Sequence, residues 1–322
     1  MNNLGRAKQH WEDTLLDLTP VEAVDGMLFK REDKFAPLGY GAINGAKLRQ
    51  LIWLVNRYKQ RGGDAGLLSG ASVKSPQLSM GTAVASHFGL RSTHVLGKTT
   101  ALTMLRHPDV RMAYSMGATF EFIGTGYNTA IHAKVMRLLA EPKYKGYFYL
   151  EYGVSLDHKK HPPEDIQAFH RVGAQQVKNL PEVNHLVVPA GSCNSLVSVL
   201  YGLALMGSAI RLPRRIVLPE IGPSKRNWVQ ERLAAIQSVT ASHLGFDSLF
   251  DRVEYYEVAV RGWDDYIKTS AYTHGSITFH DRYEGKVMRW LADRKPELIA
   301  PDNMLWIIAG HGSEDKLRQA WR

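Results

Sequence analysis

The first residue that could do chemistry is Lys47, which lies at the start of a predicted helix within residues 43–51, INGAKLRQL. The dipole of a helix favours negative charge at its N-terminus, so a lysine ammonium is unfavourable there. The same potential lowers the pKa of the amine, and a neutral amine is a nucleophile. Lys47 is therefore a candidate nucleophile. The alternative is an ordinary surface lysine whose ammonium lies in water.

A second candidate site lies at residues 189–195, PAGSCNS, between an apolar strand and a predicted helix. Small residues let backbone amides approach an anion, and the helix N-terminus adds a favourable potential. The segment has neither a Walker lysine nor the G-x-G-x-x-G spacing, so it does not imply a nucleoside triphosphate or a dinucleotide. One small phosphate group fits better. The alternative is a tight turn with no ligand.

Residues 70–77, GASVKSPQ, also connect a predicted strand to a predicted helix. Ser75 is a candidate N-cap with Pro76 at the first helical position, which is a favoured pairing. This arrangement needs no function. As a site, it offers hydroxyl, amide and amine groups beside a helix N-terminus.

Two further segments are weaker candidates. Residues 280–286, HDRYEGK, place Tyr283 beside Glu284 at a helix start, where they could supply a proton shuttle and a carboxylate partner. Glutamate in a first helical turn is common, so this pair alone is not specific. Residues 308–313, IAGHGS, place small polar residues after a strand.

The elements that must position these segments alternate between apolar strands and amphipathic helices, a pattern that favours an α/β fold with mostly parallel sheets and helices on both sides. The predicted strands are residues 66–68, 93–96, 119–123, 147–150, 186–188, 216–218 and 305–308, and the clearest helices are residues 47–58, 77–88 and 195–206.

Composition sets further limits. The chain has 322 residues, 44% of them hydrophobic, which is typical of globular proteins and not of disordered ones. Its single cysteine, Cys193, excludes an intramolecular disulfide, and no metal site is expected. The N-terminal segment has no apolar signal-peptide core and no run of apolar residues suits a membrane, so a cytoplasmic location is expected. The net charge of +9 indicates either ordinary surface lysines and arginines or a partner rich in phosphate.

Taken together, the segments resemble the fold-type-II (tryptophan-synthase-β-like) pyridoxal-phosphate enzymes, nearest the branch of 1-aminocyclopropane-1-carboxylate deaminase and D-cysteine desulfhydrase. The blocks that carry the resemblance are residues 19–20 (TP), 29–33 (FKRED), 44–51 (NGAKLRQL), 71–90 (ASVKSPQLSMGTAVASHFGL), 191–195 (GSCNS) and 281–286 (DRYEGK). They span nearly the whole chain. Pro76 departs from the pattern, since the family has an asparagine there that contacts the ring hydroxyl of the cofactor.

The resemblance implies two three-layer α/β domains with pyridoxal 5'-phosphate in the cleft between them. The larger domain would comprise residues 1–50 and 165–322, and the smaller one residues 51–164. Homodimers are usual in this family, so a homodimer is expected.

The resemblance also implies a role for individual residues. Lys47 would form the Schiff base, Glu284 would contact the ring nitrogen, and Tyr283 would act as acid or base. Gly191, Ser192, Cys193, Asn194 and Ser195 would hold the phosphate, and Ser72, Ser75 and Gln77 would bind the substrate carboxylate. Ser313 and His311 are alternative candidates for the ring nitrogen; with either of them there, the electron sink would be weaker and β-elimination favoured.

Three functions remain open from the sequence. The first is an enzyme that acts at Cα of a small amino-acid-like substrate through a Lys47 aldimine and a quinonoid, as a deaminase, lyase or decarboxylase. The second is an enzyme that modifies, for example decarboxylates, an amino acid attached to a DNA base, as in phage-type thymidine hypermodification; the basic composition motivates it. The third is an inactive binding protein that has kept the fold.

Overall fold

The structure is a computed structural model that describes residues 11–39, 43–259, 261, 263–266 and 268–310. The helices are α1 Trp11–Leu16, α2 Ala46–Gln60, α3 Gln77–His87, α4 Pro108–Ser115, α5 Asn128–Leu139, α6 Pro163–Ala174, α7 Asn194–Met206, α8 Arg226–Ser238, α9 Phe246–Phe250, α10 Trp263–Tyr266 and α11 Glu284–Arg294. The strands are β1 Val21–Val24, β2 Met27–Arg31, β3 Gly66–Ala71, β4 Arg91–Gly97, β5 Thr119–Ile123, β6 Phe148–Leu150, β7 His185–Val187, β8 Arg215–Glu220, β9 Val253–Glu257, β10 Thr273–His274, β11 Ile277–Thr278 and β12 Asn303–Ile307. None of these helices has the length and apolar character needed to cross a membrane.

The larger sheet has six strands in the order β1-β2-β12-β7-β8-β9. Its strands are parallel except for the hairpin of β1 and β2. Asp25 and Gly26 make the turn of this hairpin with φ of 41° and 80°, and an Asp-Gly pair is favoured where both turn residues need positive φ. Helices α2, α6, α7 and α8 contribute to the core on one face of the sheet, and α11 packs on the other.

The smaller sheet has four parallel strands in the order β5-β4-β3-β6. Its central strand β3 is buried along its whole length, as expected for a strand covered on both faces. Apolar residues of α3 and α4 pack on one face, and those of α5 pack on the other. Helices therefore cover both faces of the smaller sheet, as the alternation of strands and helices predicts.

The predicted α/β class with mostly parallel sheets is confirmed, and each of the seven predicted strands is present. Five strands were not predicted from the sequence: β1, β2, β9, β10 and β11. The proposed domain division at residues 50 and 164 stays a prediction; the four strands of the smaller sheet all come from residues 66–150.

The charged residues of the N-terminal block form a buried network that anchors α2. Glu32 accepts hydrogen bonds from Thr19 Oγ1 at 2.7 Å and from Arg49 Nε at 3.2 Å. The Lys30 ammonium donates to the Thr19 carbonyl at 2.7 Å, and burial lowers the pKa of Lys30 to about 8. Arg49 lies two residues after Lys47 on α2, so this network helps to fix the end of the helix that carries Lys47.

Candidate active site

A cavity of about 590 Å³ lies between the two sheets, where loops follow the carboxyl ends of their strands. This is the usual place for a ligand site in parallel α/β folds, and the volume lies within the range of about 300 to 1,000 Å³ that is typical of small-molecule sites. The structure brings nine of the predicted site residues to its lining: Lys47, Ser75, Gln77, Gly191, Ser192, Cys193, Ser195, Tyr283 and Glu284.

Lys47 is held at the cavity by the backbone around Gly45. Gly45 has φ of 106°, a conformation that side chains disfavour, and it forms an isolated bridge with Ala309. The Ala46 amide donates to the Ile308 carbonyl at 3.0 Å. The first turn of α2 is thus joined to the end of β12, and Lys47 enters the cavity from this junction.

Burial lowers the pKa of Lys47 to about 8, and the positive charge of Lys225 lowers it further, whereas Glu284 opposes the shift. The sequence analysis predicted the direction of this shift from the helix dipole, but the main cause is removal of the amine from water. The Lys47 Nζ atom lies 6.0 Å from the centre of the Tyr283 ring. A lysine with a lowered pKa near a tyrosine ring is suited to nucleophilic chemistry, with the tyrosine as a second group that can transfer protons.

Glu284 lies at the start of α11 and is completely buried. Its Oε1 atom accepts hydrogen bonds from the amides of Ile308 at 2.9 Å and Ala309 at 3.0 Å. Its Oε2 atom is buried and has no hydrogen-bond partner among the described residues. Burial raises the pKa of Glu284 to about 7, although the backbone hydrogen bonds lower it. A buried oxygen of this kind needs a donor, and the cavity that Glu284 lines is where a ligand could supply one.

The predicted phosphate site lies where α7 begins. Cys193 adopts the left-handed conformation with φ of 66°, which turns the chain from the end of β7 into the helix. The Ser195 hydroxyl is buried with no partner in the described part of the chain. A hydroxyl at the N-terminus of a thirteen-residue helix suits an anion. Burial raises the pKa of the Cys193 thiol to about 12, so this thiol is neutral.

Lys225 is a further residue of the site, and no local sequence pattern singles it out. It lines a smaller lobe of the site together with Gly191 and Ser192. Burial lowers the pKa of Lys225, while the neighbouring Cys193 thiol opposes that shift. Only the tertiary structure brings the residue from the loop before α8 to the phosphate site, so its position could not be read from the local sequence.

The side chains of Asn194 and Gln77 both bind a neighbouring loop, and their predicted contacts with phosphate and substrate stay predictions. The Gln77 Oε1 atom accepts from the Gly153 amide at 2.8 Å, and its Nε2 atom donates to the Glu151 carbonyl at 3.1 Å. Asn194 Nδ2 donates to the Gly153 carbonyl at 3.1 Å. Both side-chain amides therefore fix the loop at residues 151–154, and Asn194 is not among the residues that line the cavity.

The start of α3 also differs from the prediction. The N-cap is Pro76 and not Ser75, and the helix begins at Gln77. Ser75 makes a turn before the proline, because its hydroxyl accepts from the Gln77 amide at 3.3 Å and its amide donates to the Ser72 carbonyl at 2.8 Å. Ser72 itself is exposed and does not reach the cavity. Ser313 and His311 lie outside the described residues.

The outer part of the cavity contains charged side chains that the sequence did not single out. Asp109 on α4 accepts a hydrogen bond from Ser79 Oγ at 2.7 Å. Burial raises the pKa of Asp109, and the charge of Arg282, from the other side of the cavity, lowers it. Lys74 and Arg106 also line this part. These groups come from distant segments, so no local pattern predicts that they meet.

The described residues fit pyridoxal phosphate on observations of this site alone. A buried lysine of lowered pKa can bond to an aldehyde, and the unpartnered Glu284 Oε2 can accept from a protonated pyridine nitrogen. The unpartnered Ser195 hydroxyl, the α7 N-terminus and Lys225 suit a phosphate. The three sets of groups line one connected region around Lys47.

Comparison with known proteins supports this interpretation. The chain is 36% identical to the O-seryl-dTMP PLP-dependent decarboxylase of Salmonella phage ViI, over an alignment that covers 95% of this chain and 84% of that protein. No family model matches the sequence.

Among solved structures, a homologue of ACC deaminase matches with a TM-score of 0.70 and 18% identity, covering 98% of this chain and 100% of that one. Threonine deaminase isoform 2 of Solanum lycopersicum matches with a TM-score of 0.57 and 14% identity, covering 98% and 94%. Diaminopropionate ammonia lyase of Escherichia coli matches with a TM-score of 0.55 and 12% identity, covering 97% and 91%. At these identities the likeness concerns the fold.

The fold and the site define a fold-type-II pyridoxal-phosphate enzyme, as the sequence resemblance predicts. Within that class, the chain belongs to the family of the phage O-seryl-dTMP PLP-dependent decarboxylase. It is an enzyme that uses pyridoxal phosphate to act on an amino acid or a group like one.

Proposed function

We propose that this enzyme removes the α-carboxylate from an amino acid that is attached through its side-chain oxygen to a nucleotide base. The substrate group –O–CH2–CH(NH3+)–COO− takes up one proton and yields –O–CH2–CH2–NH3+ and CO2. The phage relative is named for a decarboxylase of this kind of substrate. The first alternative, deamination of a small amino acid, would release ammonia from the same site.

Residues of this chain would hold the cofactor at three points. Lys47 would bond to the aldehyde carbon, Glu284 Oε2 would accept from the ring nitrogen, and the α7 N-terminus with Lys225 would bind the phosphate. The cofactor supplies an electron sink for the pair of electrons left at Cα when a bond there breaks. Glu284 strengthens that sink, since an ionised carboxylate keeps the nitrogen protonated.

The observation that favours decarboxylation is the small number of free hydrogen-bond donors at the start of α3. Ser75 and Gln77 were expected to bind the substrate carboxylate, but the Gln77 side chain is engaged by the loop at residues 151–154. The amides of Gln77 and Leu78 donate to Ser75 at 3.3 and 3.2 Å, and Pro76 has no amide proton. This helix start therefore offers few donors that would hold a carboxylate, which favours its departure as CO2.

Two groups can deliver the proton that replaces the carboxylate at Cα. The Lys47 amine has a pKa of about 8 and so exchanges protons readily near neutral pH. Tyr283 lines both parts of the site, and the centre of its ring lies 6.0 Å from Lys47 Nζ. A Tyr283→Phe variant that retains its rate would assign this proton to Lys47.

The test is an analysis of products. The purified enzyme is incubated with a seryl ether of 5-hydroxymethyl-deoxyuridine monophosphate, labelled at the carboxyl carbon. We expect labelled CO2 and a nucleotide that keeps its amine. Ammonia and pyruvate in place of CO2 would refute the proposal and support the elimination alternative.

A Glu284→Gln variant provides the matched control. The glutamine keeps the acceptor that binds the Ile308 and Ala309 amides but cannot hold a proton on the ring nitrogen by charge. We expect the variant to take up the cofactor and to release CO2 at least about 100-fold more slowly, as for the loss of one strong electrostatic contact in a transition state.

The homodimer and the cytoplasmic location that the sequence suggests stay predictions.

A further inference from the structure

Three loops follow the carboxyl ends of neighbouring strands in the smaller sheet. Residues 72–76 follow β3, residues 98–107 follow β4, and residues 124–127 follow β5. We call these three segments the loop edge. Since β3, β4 and β5 are adjacent and parallel, and neighbouring strands lie about 4.8 Å apart, their loops lie side by side.

Contacts join the loop edge into one surface that reaches the cavity. The Lys98 amide donates to the Ile123 carbonyl at 3.0 Å, which ties the start of the second loop to the last residue of β5, just before the third loop. Lys74 of the first loop and His107 of the second line the same cavity, so these two loops lie close together. Lys74, Arg106 and His107 line the mouth of the cavity. The surface is therefore continuous with the active site.

The loop edge has one sign of charge. It carries Lys74, Lys98 and Arg106, all exposed, and its three segments contain no aspartate or glutamate. None of the three cations forms an ion pair within the described part of the chain. Exposed cations without ion-pair partners, beside a cavity, suit a chain of phosphates.

The same surface exposes large apolar side chains. Leu102 is 93% exposed and Tyr127 is 77% exposed, the two highest values among the large hydrophobic residues that the structure describes. An exposed tyrosine provides a face on which a base can stack, and an exposed aliphatic side chain can wedge between bases. Cations that alternate with such side chains are typical of surfaces that bind nucleic acid strands.

We propose that the loop edge binds the polynucleotide strand that flanks the modified base while that base enters the cavity. The proposal rests on the proposed function, because a strand is needed here only if the substrate base is part of a polymer. An enzyme that does chemistry on a base in DNA must take the base out of the stack, and the flanking strand must then be held. A free nucleotide would contact only the cavity and its mouth.

The experiment compares a nucleotide with a strand. The triple variant Lys98→Gln, Leu102→Ser, Tyr127→Ser changes three exposed residues that do not line the cavity. We expect its kcat/KM on the seryl nucleotide monophosphate to equal that of the wild type. We expect its kcat/KM on a single-stranded oligonucleotide with the same modified base to fall at least tenfold, since phosphate and stacking contacts are lost.

Binding is measured separately by fluorescence anisotropy with an unmodified oligonucleotide across a series of salt concentrations. Loss of the single cation Lys98 should reduce the slope of log affinity against log salt by about 0.7. The control variant Lys178→Gln, Leu205→Ser removes an exposed lysine and a partly exposed leucine outside the loop edge, and it should leave affinity and slope unchanged.

The outcomes separate this inference from the proposed function. Equal losses on the nucleotide and the oligonucleotide, or unchanged oligonucleotide binding in the triple variant, would overturn the loop-edge proposal. No turnover of either substrate by the wild type would refute the proposed function. The anisotropy measurement would still decide whether the loop edge binds a strand.

Discussion

Burial shifts the two central residues of the site in opposite directions. Lys47 loses positive charge more easily than a lysine in water, and Glu284 loses its proton less easily than a glutamate in water. Removal from water disfavours the charged form of each group. The amine is thus prepared to attack an aldehyde, and the carboxyl is prepared to meet a basic nitrogen. Such divergent shifts within one cavity are typical of active sites.

Replacement of Lys225 tests whether its ammonium binds the phosphate of the cofactor. A Lys225→Met variant should bind pyridoxal phosphate about 10- to 100-fold more weakly, because a hydrogen bond to a charged group contributes about 1.5–3 kcal/mol. Its affinity for pyridoxal, which lacks the phosphate, should fall much less, and only because loss of the Lys225 charge raises the pKa of Lys47. Both dissociation constants are measured by titration of the cofactor-free protein, followed by absorption.

Lys225→Arg is the conservative control and should recover most of the affinity for the phosphate. An equal loss of affinity for pyridoxal and pyridoxal phosphate would show that Lys225 acts on the shape of the site and not on the phosphate.

At this scale the sequence predicted residue identities better than residue contacts. Lys47, Tyr283 and Glu284 were named from their types and neighbours, and they meet in the cavity. The side chains of Gln77 and Asn194 were named in the same way, but both bind the loop at residues 151–154. A polar side chain at a helix start serves a ligand or a loop equally well, and only the tertiary structure decides between them.

At the scale of elements, the site consists of helix and strand ends that meet. The start of α2 joins the end of β12 through Gly45, and Glu284 at the start of α11 binds the two amides that follow β12. One backbone segment, residues 308–309, therefore positions both Lys47 and Glu284. This connection explains why a lysine and a carboxylate so far apart in sequence keep a fixed geometry.

Replacement of Gly45 tests the junction between the start of α2 and the end of β12. In a Gly45→Ala variant, the added Cβ would lie 2.8 Å from the Gly310 amide nitrogen and 3.0 Å from the Ile308 carbonyl oxygen, at φ of 106°. We expect a loss of stability of about 1–3 kcal/mol from backbone strain, with a further loss from the clash, in urea unfolding. Cofactor uptake should fall as well, since the junction that carries Lys47 must shift.

Gly62→Ala is the matched control, because Gly62 also has a positive φ, of 85°, but its Cβ would meet nothing within 4 Å. This variant should lose only the conformational part of the stability and keep full cofactor uptake. An equal effect of both variants would show that the contact of Gly45 with residues 308–310 is unimportant.

The sequence predicted buried parallel strands because these are short apolar runs followed by helices. It missed β9, whose residues VEYYE are only partly buried at the edge of the larger sheet, so that polar and aromatic residues blur the apolar signal. The error at α3 has a similar local cause. Ser75 closes a turn with Ser72, so that Pro76 and not Ser75 is the N-cap of the helix that begins at Gln77.

At the scale of the whole molecule, the cavity between the two sheets collects residues from segments across most of the chain. The family resemblance predicted this arrangement, whereas composition and periodicity predicted only the α/β class. The net charge of +9 pointed to no particular surface, because the basic residues are scattered in sequence. The parallel order of β3, β4 and β5 brings three of them to the loop edge.

The claim that Lys47 bonds to pyridoxal phosphate is tested most directly by identifying the labelled lysine and by measuring how the rate of capture depends on pH. Cofactor-free protein is mixed with pyridoxal phosphate, reduced with borohydride and digested. We expect a visible absorption band, with the label on Lys47 and absent from a Lys47→Ala variant. Because the neutral amine attacks and the pKa of Lys47 is about 8, capture should speed up about tenfold from pH 7 to pH 9. A label on another lysine, a rise of about 100-fold in the capture rate as for a lysine in water, or no uptake of the cofactor would show that a buried Lys47 is not the anchor.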